Sequence, residues 1–195
     1  MNRDDVLAEF AACGALLRGH FVLSSGLHSD TYLNKSLVSM HPDRTERLCR
    51  ALAAKAKKAF AGDIRFVVSP AMGAIIYGYE TARHLGVPFM FVERVDGAFA
   101  LRRGFTLNEG DRVLIVEDIV STGLSSRECI DAVRALGAEV VGLACLIDRS
   151  GGKAEVGAPM VALAEMSVEA WPADALPEHL KRLPPVKPGS RGVSQ

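Results

Sequence analysis

The stretch Val113–Cys129, "VLIVEDIVSTGLSSREC", starts as a continuous apolar run and ends in the first turn of an amphipathic segment. A short apolar run bounded by turn residues reads as a buried strand, and Ser/Thr/Gly entering periodic sequence reads as a helix start. Between them lie two adjacent acids, Glu117 and Asp118, and a hydroxyl-and-glycine run from Ser121 to Ser126. Small residues at a strand-to-helix turn let backbone N–H groups approach an anion, and the helix dipole adds to the attraction. The acids do the opposite. They accept hydrogen bonds from vicinal hydroxyls, and they can hold Mg²⁺ directly or through water. A ligand with hydroxyls at one end and a phosphate at the other needs both. Taken alone, the segment also suits solvated strand-end acids followed by a helix cap.

Outward from this unit the same texture repeats. "IRFVVSP", "VPFMFVER", "EVVGLACLIDR" and "PMVALAEM" read as strands, with "GAIIYGYETARHLG" and "SSRECIDAVRALGA" as intervening helices. Strands alternating with helices imply right-handed crossovers and a central, mostly parallel sheet flanked by helices, an α/β fold. Residues 42–61 form the clearest helix, opened by Pro42, with Leu48, Leu52, Ala56 and Phe60 on one face. An N-terminal helix is expected over residues 4–17, ending near Gly19, from the spacing of Val6, Phe10, Cys13 and Leu17. Residues 18–40 read as two short strands around a Ser-Gly turn, and "DGAFALRRGFTLNEGDR" reads as a hairpin-like excursion. The Pro/Gly/Ser-rich end, residues 183–195, reads as an extended, flexible tail on a single domain.

Composition narrows the function further. The 195 residues are 49% hydrophobic and 24% charged, with 23 basic and 23 acidic side chains. No global field therefore draws the protein to nucleic acid or to a membrane surface. The four cysteines form no CxxC pair, which argues against zinc and a disulfide framework and for a reducing, cytoplasmic setting. No apolar run approaches the ~18–20 residues of a membrane helix. In an open parallel sheet, ligands bind outside the carboxyl ends of the strands. Four such ends carry suggestive residues: Ser69 to Gly73, Glu93-Arg94, Glu117 to Ser126, and Asp148-Arg149. The strand-end carboxylates are expected to be exposed.

"VLIVEDIVSTGLSS" resembles the ribose-5-phosphate signature of type I phosphoribosyltransferases. The resemblance implies that Glu117 and Asp118 address ribose hydroxyls and that Ile119, Val120, Ser121, Thr122, Gly123, Leu124 and Ser125 bind phosphoribosyl pyrophosphate. "GHFVLSSGLHSDTYLNKSL" is similar to the N-terminal hood of orotate phosphoribosyltransferases. It implies orotate binding by Ser25, Gly26 and Tyr32, with Tyr32 stacking on the flat base. "SPAMGAII" resembles the family's pyrophosphate loop and implies contacts at Ala71, Met72 and Gly73, with a cis peptide at Ala71–Met72. "IDRSGGKAEV" resembles the segment whose Arg, here Arg149, meets the orotate carboxylate, with Ser121 also on orotate.

The excursion "ERVDGAFALRRGF" stands where the family has a catalytic loop that reaches a neighbouring subunit. That implies a homodimer and a pyrophosphate role for Arg94 beside the catalytic Glu117 and Asp118. Several positions depart from the family pattern: Ser69 for a Gly, Val95, Ala98 and Ala100 where Lys and His are common, and Ser24 for Lys or Arg. Mg²⁺ is the implied cofactor, carried mainly by the substrate, with no direct protein ligand assigned. Two alternatives stay open: a phosphoribosyltransferase for another base, and a non-catalytic sensor of phosphoribosyl pyrophosphate.

Overall fold

The computed structural model describes residues 1–23 and 25–188. The departure at Ser24 and the end of the tail, 189–195, lie outside the described residues. The chain opens with α1 (Arg3–Ala12), the paired strands β1 (Leu16–Val22) and β2 (His28–Leu33), and the short α2 (Lys35–Ser39). Then follow α3 (Pro42–Ala59), β3 (Phe66–Pro70), α4 (Ile75–Leu85), β4 (Phe89–Val95) and β5 (Ala98–Leu101). The remainder is β6 (Arg112–Val120), α5 (Leu124–Arg134), β7 (Glu139–Asp148), β8 (Met160–Glu165), a 3-10 turn at Ala173–Ala175 and α6 (Glu178–Lys181).

The main sheet has the order β5-β4-β3-β6-β7-β8. All neighbours are parallel except β5, which returns antiparallel on β4. From β3 the chain builds one wing through β4 and β5, then crosses back to β6 on the other side. The reversal leaves a crevice at the carboxyl ends of β3 and β6, where open α/β sheets hold their ligands.

Side chains alternate between the two faces of a strand, and both faces of this sheet are buried. Leu114 and Val116 of β6 join Ala144 and Leu146 of β7 in a core shared with α3 and α4. Val113 and Ile115 join Leu143 and Cys145 in a second core against Cys129, Ile130 and Val133 of α5. Unbroken apolar runs are the expected pattern for strands covered on both sides.

The first helix is shorter than its periodicity predicts. It ends at Ala12, not near Gly19, because Gly14 adopts φ +69° and turns the chain. The Gly14 N–H donates to Ala11 O (3.0 Å) and the Ala15 N–H to Phe10 O (2.8 Å). Leu17, which continued the helical spacing, lies in β1 opposite Tyr32. The helix over residues 42–61 appears as α3, with Pro42 in its first turn. The excursion forms an antiparallel β4–β5 hairpin turning through Asp96 (φ +51°) and Gly97 (φ +89°). The short α2 and α6 carry too few residues for a periodic signal and were not expected.

The β1–β2 pair stands as its own two-stranded sheet. Two later segments tie it down. The N–H groups of His28 and Trp171 each donate to the other's carbonyl at 2.8 Å, and Ser29 Oγ donates to Glu169 O at 2.9 Å. Within the expected tail, the Val186 N–H donates to His20 O and accepts at its carbonyl from the Val22 N–H, both at 2.8 Å. His20 Nδ1 lies 2.9 Å from Leu183 O and its Nε2 lies 2.6 Å from His28 Nδ1.

Candidate active site

Strand alternation sends the two adjacent acids to opposite sides of the sheet. Glu117 continues the Val113–Ile115 face and meets α5, where Ser126 Oγ donates to its Oε1 at 3.4 Å. Asp118 continues the Leu114–Val116 face and meets the start of α2 and the loop before α4. Its Oδ2 forms an ion pair with the Lys35 ammonium, and its Oδ1 accepts from the Ile119 N–H at 2.5 Å. The expectation of exposed acids fails: Glu117 and Asp118 are only 6% and 3% exposed. The strand end is roofed by α5, α2 and the Ala71–Gly73 loop. Burial, and next the Asp118 charge, push the Glu117 carboxyl well above the usual carboxylate range.

After Val120 the chain passes through Ser121 and Thr122 into α5, whose cap residue Gly123 has φ +76°. A positive φ is what a glycine adopts at little cost. No side chain caps this helix, and its first internal hydrogen bond is from the Arg127 N–H to Gly123 O (2.9 Å). The Leu124 N–H reaches Thr122 Oγ1 only at 3.4 Å. The helix therefore starts with donors available for an anion. Arg127 braces the turn from outside by donating to Thr122 O and Glu155 O.

At the end of β3, Ala71 to Gly73 form a tight loop with a cis peptide between Ala71 and Met72, as the resemblance implies. The Ala71 N–H donates to Val92 O (2.7 Å), and Met72 is 84% exposed. Gly73 is packed closely. A Cβ there would collide with the Lys35 ammonium and stand 2.5 Å from Asp118 Oδ2.

A cavity of about 630 Å³ lies between the β1–β2 sheet and the strand-end rim. Val22, Leu23, Ser25, Leu27 and Tyr32 line it from one side, and Ser121, Thr122 and Arg149 from the other. A third wall, which no local sequence signal announced, comes from Val168, Ala170 and Pro188. Gly26 belongs to the same turn, where its N–H donates to Leu23 O (2.9 Å) at φ +82°.

Arg149 makes no salt bridge with Asp148 or Glu155. Asp148 is occupied by the following turn, accepting from the Ser150 N–H (2.8 Å), Ser150 Oγ (2.6 Å) and the Gly152 N–H (2.9 Å). Arg149 Nε is buried and finds no hydrogen-bond partner among the described residues. Burial pulls its guanidinium below the ordinary arginine value. Arg149 is half-buried on the cavity wall, and an Nε–H without a partner there is available to an acceptor on a ligand.

The structure thus gathers Ser25, Tyr32, Ser121, Thr122 and Arg149 around one cavity, and separately sets Asp118 against Gly73. Arg94 stands apart. Its guanidinium is engaged by Glu128 of α5 and by Gly97 O (2.6 Å), over the Phe99 ring at 4.2 Å. Arg102 and Arg103 both face Glu93. Sequence reasoning missed Lys35, which follows β2 without a motif of its own.

The Phosphoribosyl transferase domain model matches residues 41–178. The orotate phosphoribosyltransferase of Phenylobacterium zucineum is 60% identical over 191 residues, covering 98% of each chain. That of Maricaulis maris is 58% identical over 194 residues, covering 100% of each. Among solved structures, orotate phosphoribosyltransferase from Aeropyrum pernix superposes with a TM-score of 0.66 at 26% identity, covering 82% of this chain and 93% of that one. With full-length relatives at this identity, the chain belongs to the orotate phosphoribosyltransferase family.

Proposed function

We propose that this chain transfers the 5-phosphoribosyl group from phosphoribosyl pyrophosphate to orotate, giving orotidine 5′-monophosphate and pyrophosphate. The observation that carries the reading is Arg149. Its side chain lines a cavity walled by Tyr32, and its Nε has no hydrogen-bond partner among the described residues, which suits a planar carboxylate. A guanidinium fork matches a carboxylate bidentately, and an aromatic face packs on a flat ring. Ser25, Gly26 and Ser121 complete the orotate set.

In this reading Ser121 to Ser125, entered from Ile119 and Val120, bind the 5′-phosphate. Glu117 and Asp118 accept from ribose hydroxyls, and Ala71 to Gly73 bind pyrophosphate. The C1–oxygen bond to pyrophosphate breaks as orotate's ring nitrogen bonds to C1. Charge of the oxocarbenium type develops at the sugar, as in glycoside chemistry. No protein nucleophile is required. The chain's own part is to hold the two partners in line and to exclude water.

The donor set fits a Mg²⁺ held through substrate oxygens. Two carboxylates lie at the strand end, Asp118 Oδ2 is already paired with the Lys35 ammonium, and no group of three or more metal-ligating side chains occurs among the described residues. When bound, the ion neutralises charge on the departing pyrophosphate. The family resemblance further supports a cytoplasmic homodimer with the β4–β5 excursion, including Arg94, serving the partner's site. Sedimentation tests the dimer. Among the described residues no helix is long and apolar enough to cross a membrane.

The deciding experiment follows orotate absorbance with phosphoribosyl pyrophosphate and Mg²⁺. Consumption is expected with orotate, and no pyrophosphate release with adenine, hypoxanthine or uracil. Release with one of those bases instead, or binding of phosphoribosyl pyrophosphate without turnover, would overturn the reading.

A further inference from the structure

The pyrophosphate loop raises a problem of charge. Ala71 to Gly73 offer a diphosphate only backbone N–H groups, and the carboxylate of Asp118 lies against the same glycine. An incoming diphosphate would meet that negative charge at close range. Within this chain the hairpin arginines do not offset it, because Arg94 is held by Glu128, and Arg102 and Arg103 by Glu93. Lys35 does stand there. Its ammonium pairs with Asp118 Oδ2 and fills the space where a Gly73 side chain would project.

Lys35 is also held in place. The buried Tyr77 of α4 donates its hydroxyl to the Lys35 carbonyl at 2.7 Å, so the helix that follows the loop fixes the lysine's main chain. The lysine side chain is 36% exposed, while the Asp118 side chain is 4% exposed, so the lysine keeps a solvent-accessible part that its partner lacks. An ammonium has three donors. One carboxylate does not exhaust them.

We propose that Lys35 is a substrate-binding residue of this site, bridging Asp118 to a non-bridging oxygen of the diphosphate above Gly73. It supplies from the hood side the positive charge that the loop itself lacks. Glycine at position 73 follows from the same arrangement, since any side chain would displace the ammonium. This inference rests on the phosphoribosyl pyrophosphate reading and goes beyond it by naming the cation.

The test uses full-length Lys35→Met and Lys35→Arg, with steady-state kinetics in both substrates and titration of Mg²⁺-pyrophosphate into the free enzyme. Lys35→Met should raise KM for phosphoribosyl pyrophosphate by at least about 10-fold and weaken pyrophosphate binding similarly, with KM for orotate within about 2-fold of the parent. Lys35→Arg, which keeps the charge, should recover most of both losses. Unchanged pyrophosphate affinity in a folded Lys35→Met would overturn the proposal, even if its melting temperature fell, since that pattern marks a lysine that only stabilises Asp118. Should Lys35→Met not fold, a Lys35→Arg that binds pyrophosphate like the parent supports the proposal, and one that loses binding while folded overturns it. Failure of the parent enzyme to consume orotate would refute the function instead.

Discussion

At Glu117, burial and the Asp118 charge raise the carboxyl's pKa in the folded state. The folded chain then holds a proton that the unfolded chain has already released. Stability contributed by that proton is complete below the ordinary carboxylate range and is lost as pH rises above it. Glu117→Gln removes the titration while keeping the shape. Its melting temperature should match the parent's near pH 4 and exceed it near pH 8, by about 2–4 °C for each kcal/mol relieved in a chain of this size. Thermal unfolding at the two pH values checks this, and a variant less stable than the parent at pH 8 refutes it. Arg149 is a cation whose Nε has no hydrogen-bond partner among the described residues. Hydrogen bonds to charged groups contribute about 1.5–3 kcal/mol, so Arg149→Gln should raise KM for orotate about 10- to 150-fold. KM for phosphoribosyl pyrophosphate should barely move, and initial-rate kinetics in each substrate separates the two.

At the scale of elements, β6 carries the design. Its period-2 alternation buries one face against α3 and α4 and the other against α5. The same alternation aims Glu117 at α5 and Asp118 at Lys35. The strand, turn and helix of this unit are contiguous, which is why its architecture was legible in Val113–Cys129. The close approach of neighbouring elements was not. On β7, a Cβ at Gly142 would overlap the ring of Phe60, the residue ending α3. Gly142→Ala should therefore cost about 1–3 kcal/mol by overpacking and lower the melting temperature by several degrees. Gly142 lies in the early half of β7, far along the strand from Asp148 at the rim. Turnover per folded molecule should stay at the parent value, as a joint melting and kinetic measurement would show.

Across the whole molecule, the cavity proposed to take the base depends on chain segments far apart in sequence. The β1–β2 sheet is fastened by Trp171 and Val186, and Val168, Ala170 and Pro188 close the third wall. The described end of the tail therefore pairs with β1 as far as Val186. Ending the chain after Pro185 removes two backbone hydrogen bonds and one wall residue. Each such bond contributes about 1 kcal/mol net, so KM for orotate should rise about 10-fold or more. The turn proposed to hold the phosphate lies at the start of α5, and affinity for phosphoribosyl pyrophosphate should be kept. A truncated enzyme with parental KM for orotate would show that the tail's contact does not shape the pocket.

The sequence alone determined the alternating α/β framework, the acid-and-hydroxyl turn after β6, and the Ser-Gly turn of the hood. These are local: periodicity, turn chemistry and a contiguous motif are written within a few residues of one another. It misjudged the end of α1, where apolar spacing ran on from helix into strand and only Gly14 marked the stop. Tertiary structure alone decided that Asp118 meets Lys35, that Arg149 Nε finds no partner among the described residues, and that Arg94 is held by Glu128. Those pairings depend on which faces the crossovers bring together, and the spacing of charges along the chain does not encode that distance.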